Sequence, residues 1–122
     1  MAGYSKEDAL PLLPAPLTLP EAKSSTAMIK VTAKSTVKAG ARDQFIATAR
    51  ERVEKSRAEA GNISYHLYED MDDPYILTFI EEWKDQAAVD VHADSEHFQR
   101  IIPLLSDMTE EAIEISLYRE VL

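Results

Sequence analysis

Three segments decide how this chain folds: Glu59-Ala60-Gly61-Asn62-Ile63-Ser64-Tyr65, then Phe79-Ile80-Glu81-Glu82-Trp83, then His92-Ala93-Asp94-Ser95-Glu96-His97-Phe98. The first closes a helix on a glycine and opens a strand. The second is a strand that ends on an acid and the only tryptophan of the chain. The third carries two histidines on helical segments separated by an Asp-Ser break. In this order they bring Trp83, His92 and His97 toward one region of a small domain.

Working backward from Glu59, residues 41 to 59 show helical spacing. Phe45, Ala49 and Val53 recur at steps of four, with Arg42, Arg50, Arg52 and Arg57 mixed with acids around them. Gly40 ends the segment before it, and Gly61 supplies a left-handed stop for the helix. Met28 to Val37 alternates Ile29, Val31 and Ala33 with Lys30, Thr32 and Lys34, the period of two expected of a half-buried strand. Working forward, Ile63, Tyr65 and Leu67 alternate with Ser64, His66 and Tyr68, so residues 62 to 70 form a second strand, closed by the turn Met71-Asp72-Asp73-Pro74.

Residues 75 to 83 have apolar side chains on both parities, Leu77, Phe79 and Trp83 on one and Ile76 and Ile80 on the other, so both faces of this strand call for burial. Asp85 and Ser95 are N-cap residues for two short helical pieces, the second of which contains Pro103. Residues 111 to 122 finish the chain as a strand, with Ile113, Ile115, Leu117 and Val121 opposite Ser116 and Tyr118. The order is βαββαβ, an α+β ferredoxin-like arrangement with a four-stranded antiparallel sheet and both helical units on one face. An open face bearing Ile76 and Ile80 is an aggregation hazard in a monomer, so a homodimer packed sheet face against sheet face is expected.

The chain has 122 residues, enough for one domain with its own core. It has no cysteine, which excludes disulfides and thiolate chemistry and fits a reducing, cytoplasmic setting. A formal net charge of −9 argues against nucleic acid and against an anionic membrane surface as partners. Residues 1–25 read as a Pro/Leu-rich arm and 26–122 as the domain. Pro11, Pro14, Pro16 and Pro20 alternate with Leu10, Leu12, Leu13, Leu17 and Leu19, an extended segment suited to docking on a neighbouring subunit. The prolines, with Glu7 and Asp8 following Lys6, fit neither a secretory signal nor a membrane span.

Glu59-Ala60-Gly61-Asn62, Glu82-Trp83, and the spaced His92 and His97-Phe98 resemble the antibiotic biosynthesis monooxygenase domain, over roughly residues 28 to 120. The resemblance implies a dimeric α/β barrel and a group of activities that includes quinol monooxygenases, haem-degrading monooxygenases and an isomerase. Haem-degrading members of the family have an asparagine on the first strand and a tryptophan in the second helix. Aligning on Gly40 and Trp83 puts Ala33 and His92 at those places, so haem degradation is disfavoured. The resemblance then implies a cofactor-independent monooxygenase acting on a small quinol-like or phenolic compound, which can itself reduce dioxygen once deprotonated. Such a site must bind an apolar ring, remove a proton and exclude water.

His92 and His97 are the candidate catalytic bases, because imidazole titrates near neutral pH. Their competing readings are a solvated helix end for His92 and a structural anchor of the second helix for His97. Trp83 is a pocket wall or a stacking surface for a flat substrate. Asn62 caps a turn or hydrogen-bonds a substrate carbonyl, and Glu82 is placed to orient a histidine. His66, Tyr68 and Tyr118 share a polar, aromatic sheet face with Thr32 and Ser116, as pocket lining or as the wet part of a dimer interface. Arg119 reads as an inter-subunit ion pair and Arg57 as a helix-surface charge. The two histidines with Glu96 or Asp94 offer metal donors, but their spacing matches no i, i+4 ligand pair, so neither a metal nor a cofactor is expected. The alternatives are an isomerase of a small dicarbonyl metabolite and a non-catalytic, stress-related or ligand-binding dimer. An enzyme should hold a closed apolar cavity of a few hundred cubic ångström reached by Trp83 and a histidine, and a cavity filled by side chains would count against that reading.

Overall fold

The computed structural model describes residues 27–122, so the expected N-terminal arm lies outside the described residues. Strands β1 (Ile29–Thr36), β2 (Asn62–Glu69), β3 (Ile76–Trp83) and β4 (Glu114–Arg119) form an antiparallel sheet in the order β2-β3-β1-β4. Helix α1 (Arg42–Arg57) crosses from β1 to β2, and α2 (Gln86–Asp94) and α3 (Glu96–Ser106) cross from β3 to β4. This is the ferredoxin-like α+β fold expected from the periodicities. The last strand is shorter than expected, with Ile113 buried before it and Val121 exposed after it.

The alternation along each strand assigns its faces. Ile29, Val31, Ala33 and Ser35 of β1 and Leu77, Phe79, Glu81 and Trp83 of β3 are buried beneath the helices. Lys30, Thr32 and Lys34 lie on the other face, paired across the sheet with Glu82, Ile80 and Thr78. Ile76 and Ile80 are half-buried there, flanked by exposed His66 on β2 and exposed Tyr118 on β4.

Helix α1 buries more than its apolar stripe. Phe45 and Ala49 are in the core as expected, but so are Arg52 and Ser56. The Arg52 guanidinium lies over the rings of Phe79 (4.7 Å), Phe98 (5.1 Å) and Tyr65 (5.5 Å), and its Nη2 is 3.6 Å from Glu81 Oε2. Glu81 Oε1 in turn accepts a hydrogen bond from Trp83 Nε1 at 3.0 Å. Arg57, read from sequence as a helix-surface charge, instead ties α1 to β2: its Nε donates to the Tyr65 carbonyl at 2.9 Å.

Among the described residues, Gly40 is the positive-φ glycine, at +87°, in the turn before α1. Gly61 is not left-handed, and the helix ends at Ala58 in ordinary right-handed geometry, so the expected glycine stop is corrected. The constraint on Gly61 is space: a Cβ there would lie 2.3 Å from Ala88 Cβ on α2. Its carbonyl also accepts from Lys84 N at 2.9 Å, so the entry to β2 is pinned to the approach to α2.

Ser95 sets the break between α2 and α3. It ends the first helix and caps the second: its hydroxyl donates to the His92 carbonyl at 2.7 Å and accepts from Phe98 N at 3.2 Å. Asp85 caps α2 by accepting from Ala88 N at 2.8 Å. Pro103 sits inside α3, where its ring removes the amide that would pair with the Gln99 carbonyl. Replacing Gly61 by Ala is expected to destabilise the domain by about 1–3 kcal/mol through overpacking. Adding Ala88→Gly should recover most of that loss, measured by urea unfolding.

Candidate active site

The break at Ser95 lets two residues five positions apart face one point. His92 Nδ1 and His97 Nε2 each lie 2.8 Å from the same oxygen, Glu59 Oε2. Glu59 follows the end of α1, 33 positions before His92. It reaches the histidines because the Gly61 contact seats this corner of the chain on α2.

The protonation pattern follows from the donors. Burial alone would raise the Glu59 carboxyl, but its bonds to His92 and then His97 outweigh that and hold it below the ordinary glutamate range. An ionised carboxylate only accepts, so both imidazoles donate to it. His92 is 3 % exposed, and that burial lowers its pKa despite the opposing pull of Glu59. The imidazole is therefore neutral near pH 7, with its proton on Nδ1 and a lone pair on Nε2. His92 Nε2, His97 Nδ1 and Glu59 Oε1 are buried without a hydrogen-bond partner among the described residues.

Aromatic rings enclose His92. Trp83 is tilted against it at 4.4 Å between centroids, Phe98 meets it edge-on at 5.2 Å, and Tyr65 lies at 5.7 Å. Burial also pushes the Tyr65 phenol well above its usual value, so it stays protonated. His92 lines a void of about 20 Å³ shared with Trp83, Val89, Phe98, Arg52 and Glu81. That is room for one water-sized molecule. The expected cavity of a few hundred cubic ångström at Trp83 and a histidine is thus not found there. Space of that size, about 390 Å³, lies instead in a groove between α1 and β2, walled by Arg42, Ile46, Arg50, Val53, Arg57 and Leu67.

Of the residues singled out from sequence, the structure brings His92, His97 and Trp83 together. Asn62 points elsewhere: its amide donates to the carbonyls of Ser64 (3.0 Å) and Glu82 (3.2 Å), bridging the irregular register where β2 begins. Tyr118 is exposed on the opposite sheet face. His66 and Tyr68 pair at 5.9 Å on β2, and Arg57 Nη2 lies 2.9 Å from His66 Nδ1. The acid that orients a histidine is Glu59, not Glu82. Glu82 accepts from Ser64 Oγ at 2.9 Å and lies 3.6 Å from Lys30 Nζ, on the open face. Arg52 and Glu81 were also missed as parts of the site's floor.

The family model for antibiotic biosynthesis monooxygenase matches residues 28–104. The chain belongs to the antibiotic biosynthesis monooxygenase family. It is 32 % identical over 108 residues to protein sll1783 of Synechocystis sp., covering 88 % of this chain and 74 % of that one. It is 37 % identical over 75 residues to YcnE of Bacillus subtilis, which carries a provisional monooxygenase name, covering 62 % of this chain and 79 % of YcnE. A solved structure of a conserved Methanosarcina mazei protein superposes with a TM-score of 0.77 at 37 % identity, covering 82 % of this chain and 99 % of the other. No helix among the described residues of this family member is long and apolar enough to cross a membrane.

Acid should loosen this domain. His92 is buried neutral, and unfolding releases it to its ordinary pKa near 6.5, so below that pH the unfolded state binds the extra proton. Glu59, with its pKa lowered, adds a loss in the same direction below about pH 4.3. Urea midpoints are expected to fall from pH 7 toward pH 4, with the first part of the fall absent in His92→Gln.

Proposed function

We propose that the chain is a cofactor-independent monooxygenase acting on a small quinol-like or phenolic compound, with His92 as the general base. The observation that supports this most directly is the Glu59–His92 contact. It fixes the proton on Nδ1 and leaves a buried, unpartnered Nε2 lone pair beside Trp83 and the void. A buried polar atom without a partner costs free energy, and the void beside Nε2 has room for the one water or ligand atom that would pair with it.

In this reading Nε2 takes a proton from the substrate hydroxyl, and Glu59 stabilises the imidazolium that forms. The ionised ring then passes electrons to dioxygen. A dihydroxybenzene and dioxygen give a hydroxyquinone and water: the ring takes up one oxygen atom and supplies all four electrons that reduce dioxygen, so no other reductant is needed. Trp83 offers a stacking face, and His97 holds Glu59 in place from the other side. Because the void is small, ring binding requires Phe98 and Val89, which wall it, to move aside. His92→Ala is expected to lower oxygen uptake with hydroquinones or anthrones by at least about 100-fold, the range set by losing a general base. Unchanged uptake would remove His92 from this role.

A second reading, a non-catalytic ligand-binding dimer of the same fold, is favoured by the narrow void. Trp83 is the only tryptophan, so its fluorescence reports binding while oxygen uptake reports turnover. Saturable quenching by hydroquinone together with oxygen uptake supports the enzyme; quenching without uptake across a panel of phenols supports the second reading.

Both readings carry the homodimer formed through the open sheet face, where Ile76 and Ile80 are half-buried between His66, Tyr68 and Tyr118. The N-terminal arm is proposed to dock on the neighbouring subunit. Ile80→Glu is expected to shift light-scattering mass from dimer to monomer.

A further inference from the structure

We propose that Glu59, His92 and His97 form a binding site for a divalent transition-metal ion of the zinc class. Each residue offers one ligand atom, and these atoms all lie within 4.8 Å of one another; the nitrogens that face the Glu59 carboxylate are His92 Nδ1 and His97 Nε2. Spacing along the chain concealed this group, because the third ligand comes from the far end of α1 and the Ser95 break removes the helical phase between the histidines.

Hydrogen bonding permits both imidazoles on one oxygen, which has two lone pairs, but it leaves the carboxylate half used. A structural clamp would be better satisfied with one imidazole on each carboxylate oxygen. Here both nitrogens converge on Oε2 while Oε1, also buried, has no partner among the described residues. Two imidazole nitrogens clustered with one carboxylate oxygen are a donor set that a cation can bridge. Imidazole donors favour zinc-like ions over magnesium or calcium, and three protein ligands leave a fourth position for water.

With ligand bonds of about 2.0–2.2 Å, neighbouring donors in a tetrahedral shell stand about 3.4 Å apart. The present N···O separations of 2.8 Å must widen slightly, an adjustment that Glu59 can make from the turn that follows α1. Access is from the Glu59 side, whose side chain is 15 % exposed.

Loading has a consequence for the site, which rests on the proposed oxygenase reading. A metal on Nδ1 moves the His92 proton to Nε2 and so removes the base. The ion is then an inhibitor that competes with proton abstraction, and the metal-free chain is the active form.

The test uses the untagged full chain, stripped with EDTA and dialysed. Titration with Co²⁺ is expected to give one ion per chain and the visible absorption of a four-coordinate site, displaced by Zn²⁺. His97→Gln and Glu59→Gln, which retain polar groups able to keep the local packing, should each weaken Zn²⁺ binding by more than the roughly 100-fold upper range for losing an outer-shell partner. Asp94→Asn and Glu96→Gln should leave it unchanged. Absence of stoichiometric binding, or binding indifferent to the His97 and Glu59 changes, would overturn the metal site. Binding at this site that leaves oxygen uptake intact at saturating Zn²⁺ would instead overturn His92 as the base, a separate failure.

Discussion

The approach of the Gly61 backbone to Ala88 is the contact on which the candidate site depends. With no room for a Cβ between them, the approach to β2 and the first turn of α2 share one surface, and the chain just before Gly61 is carried with it. That places Glu59 against His92 and His97. Hydrogen bonds at this corner, from Lys84 N to the Gly61 carbonyl and from the Asn62 amide to the Glu82 carbonyl, fix the same junction from the sheet side.

Beneath that junction the core is charged. Arg52 and Glu81 are nearly fully buried, and desolvating such a pair offsets most of what their attraction contributes. Its effect is better seen in orientation than in stability. Glu81 holds the Trp83 indole by its N–H, Trp83 presents its face to His92, and three aromatic rings surround the guanidinium that neutralises Glu81. A hydrophobic pair of the same volume could fill the space, but it would leave the indole N–H without its acceptor.

Strand parity made the fold legible: Ile29, Val31 and Ala33 against Lys30, Thr32 and Lys34 assign faces without any knowledge of partners. Asp85 and Ser95 announced both helical pieces by their capping chemistry. The site was only half visible. His92, His97 and Trp83 stood out by residue type, and Glu59 stood in the Glu-Ala-Gly-Asn segment, but its pairing with the histidines was not legible because they are distant in sequence. Arg52 was hidden for the opposite reason: a long charged side chain on a helix is usually solvated, and only the coincidence of Glu81 with three rings across the core makes its burial tolerable. Gly61 was read for the freedom glycine has, when the fold uses its lack of volume.

The double capping by Ser95 couples two helices through one hydroxyl, and this makes chain length in that stretch a functional variable. Each residue in a helix advances the face by about 100°. Inserting or deleting a single residue between His92 and His97 would turn one imidazole away from Glu59 while leaving the composition of both helices almost unchanged. Divergence in this region is therefore expected to proceed by substitution, with length changes confined to turns such as Asp70 to Tyr75, where no part of the triad depends on phase.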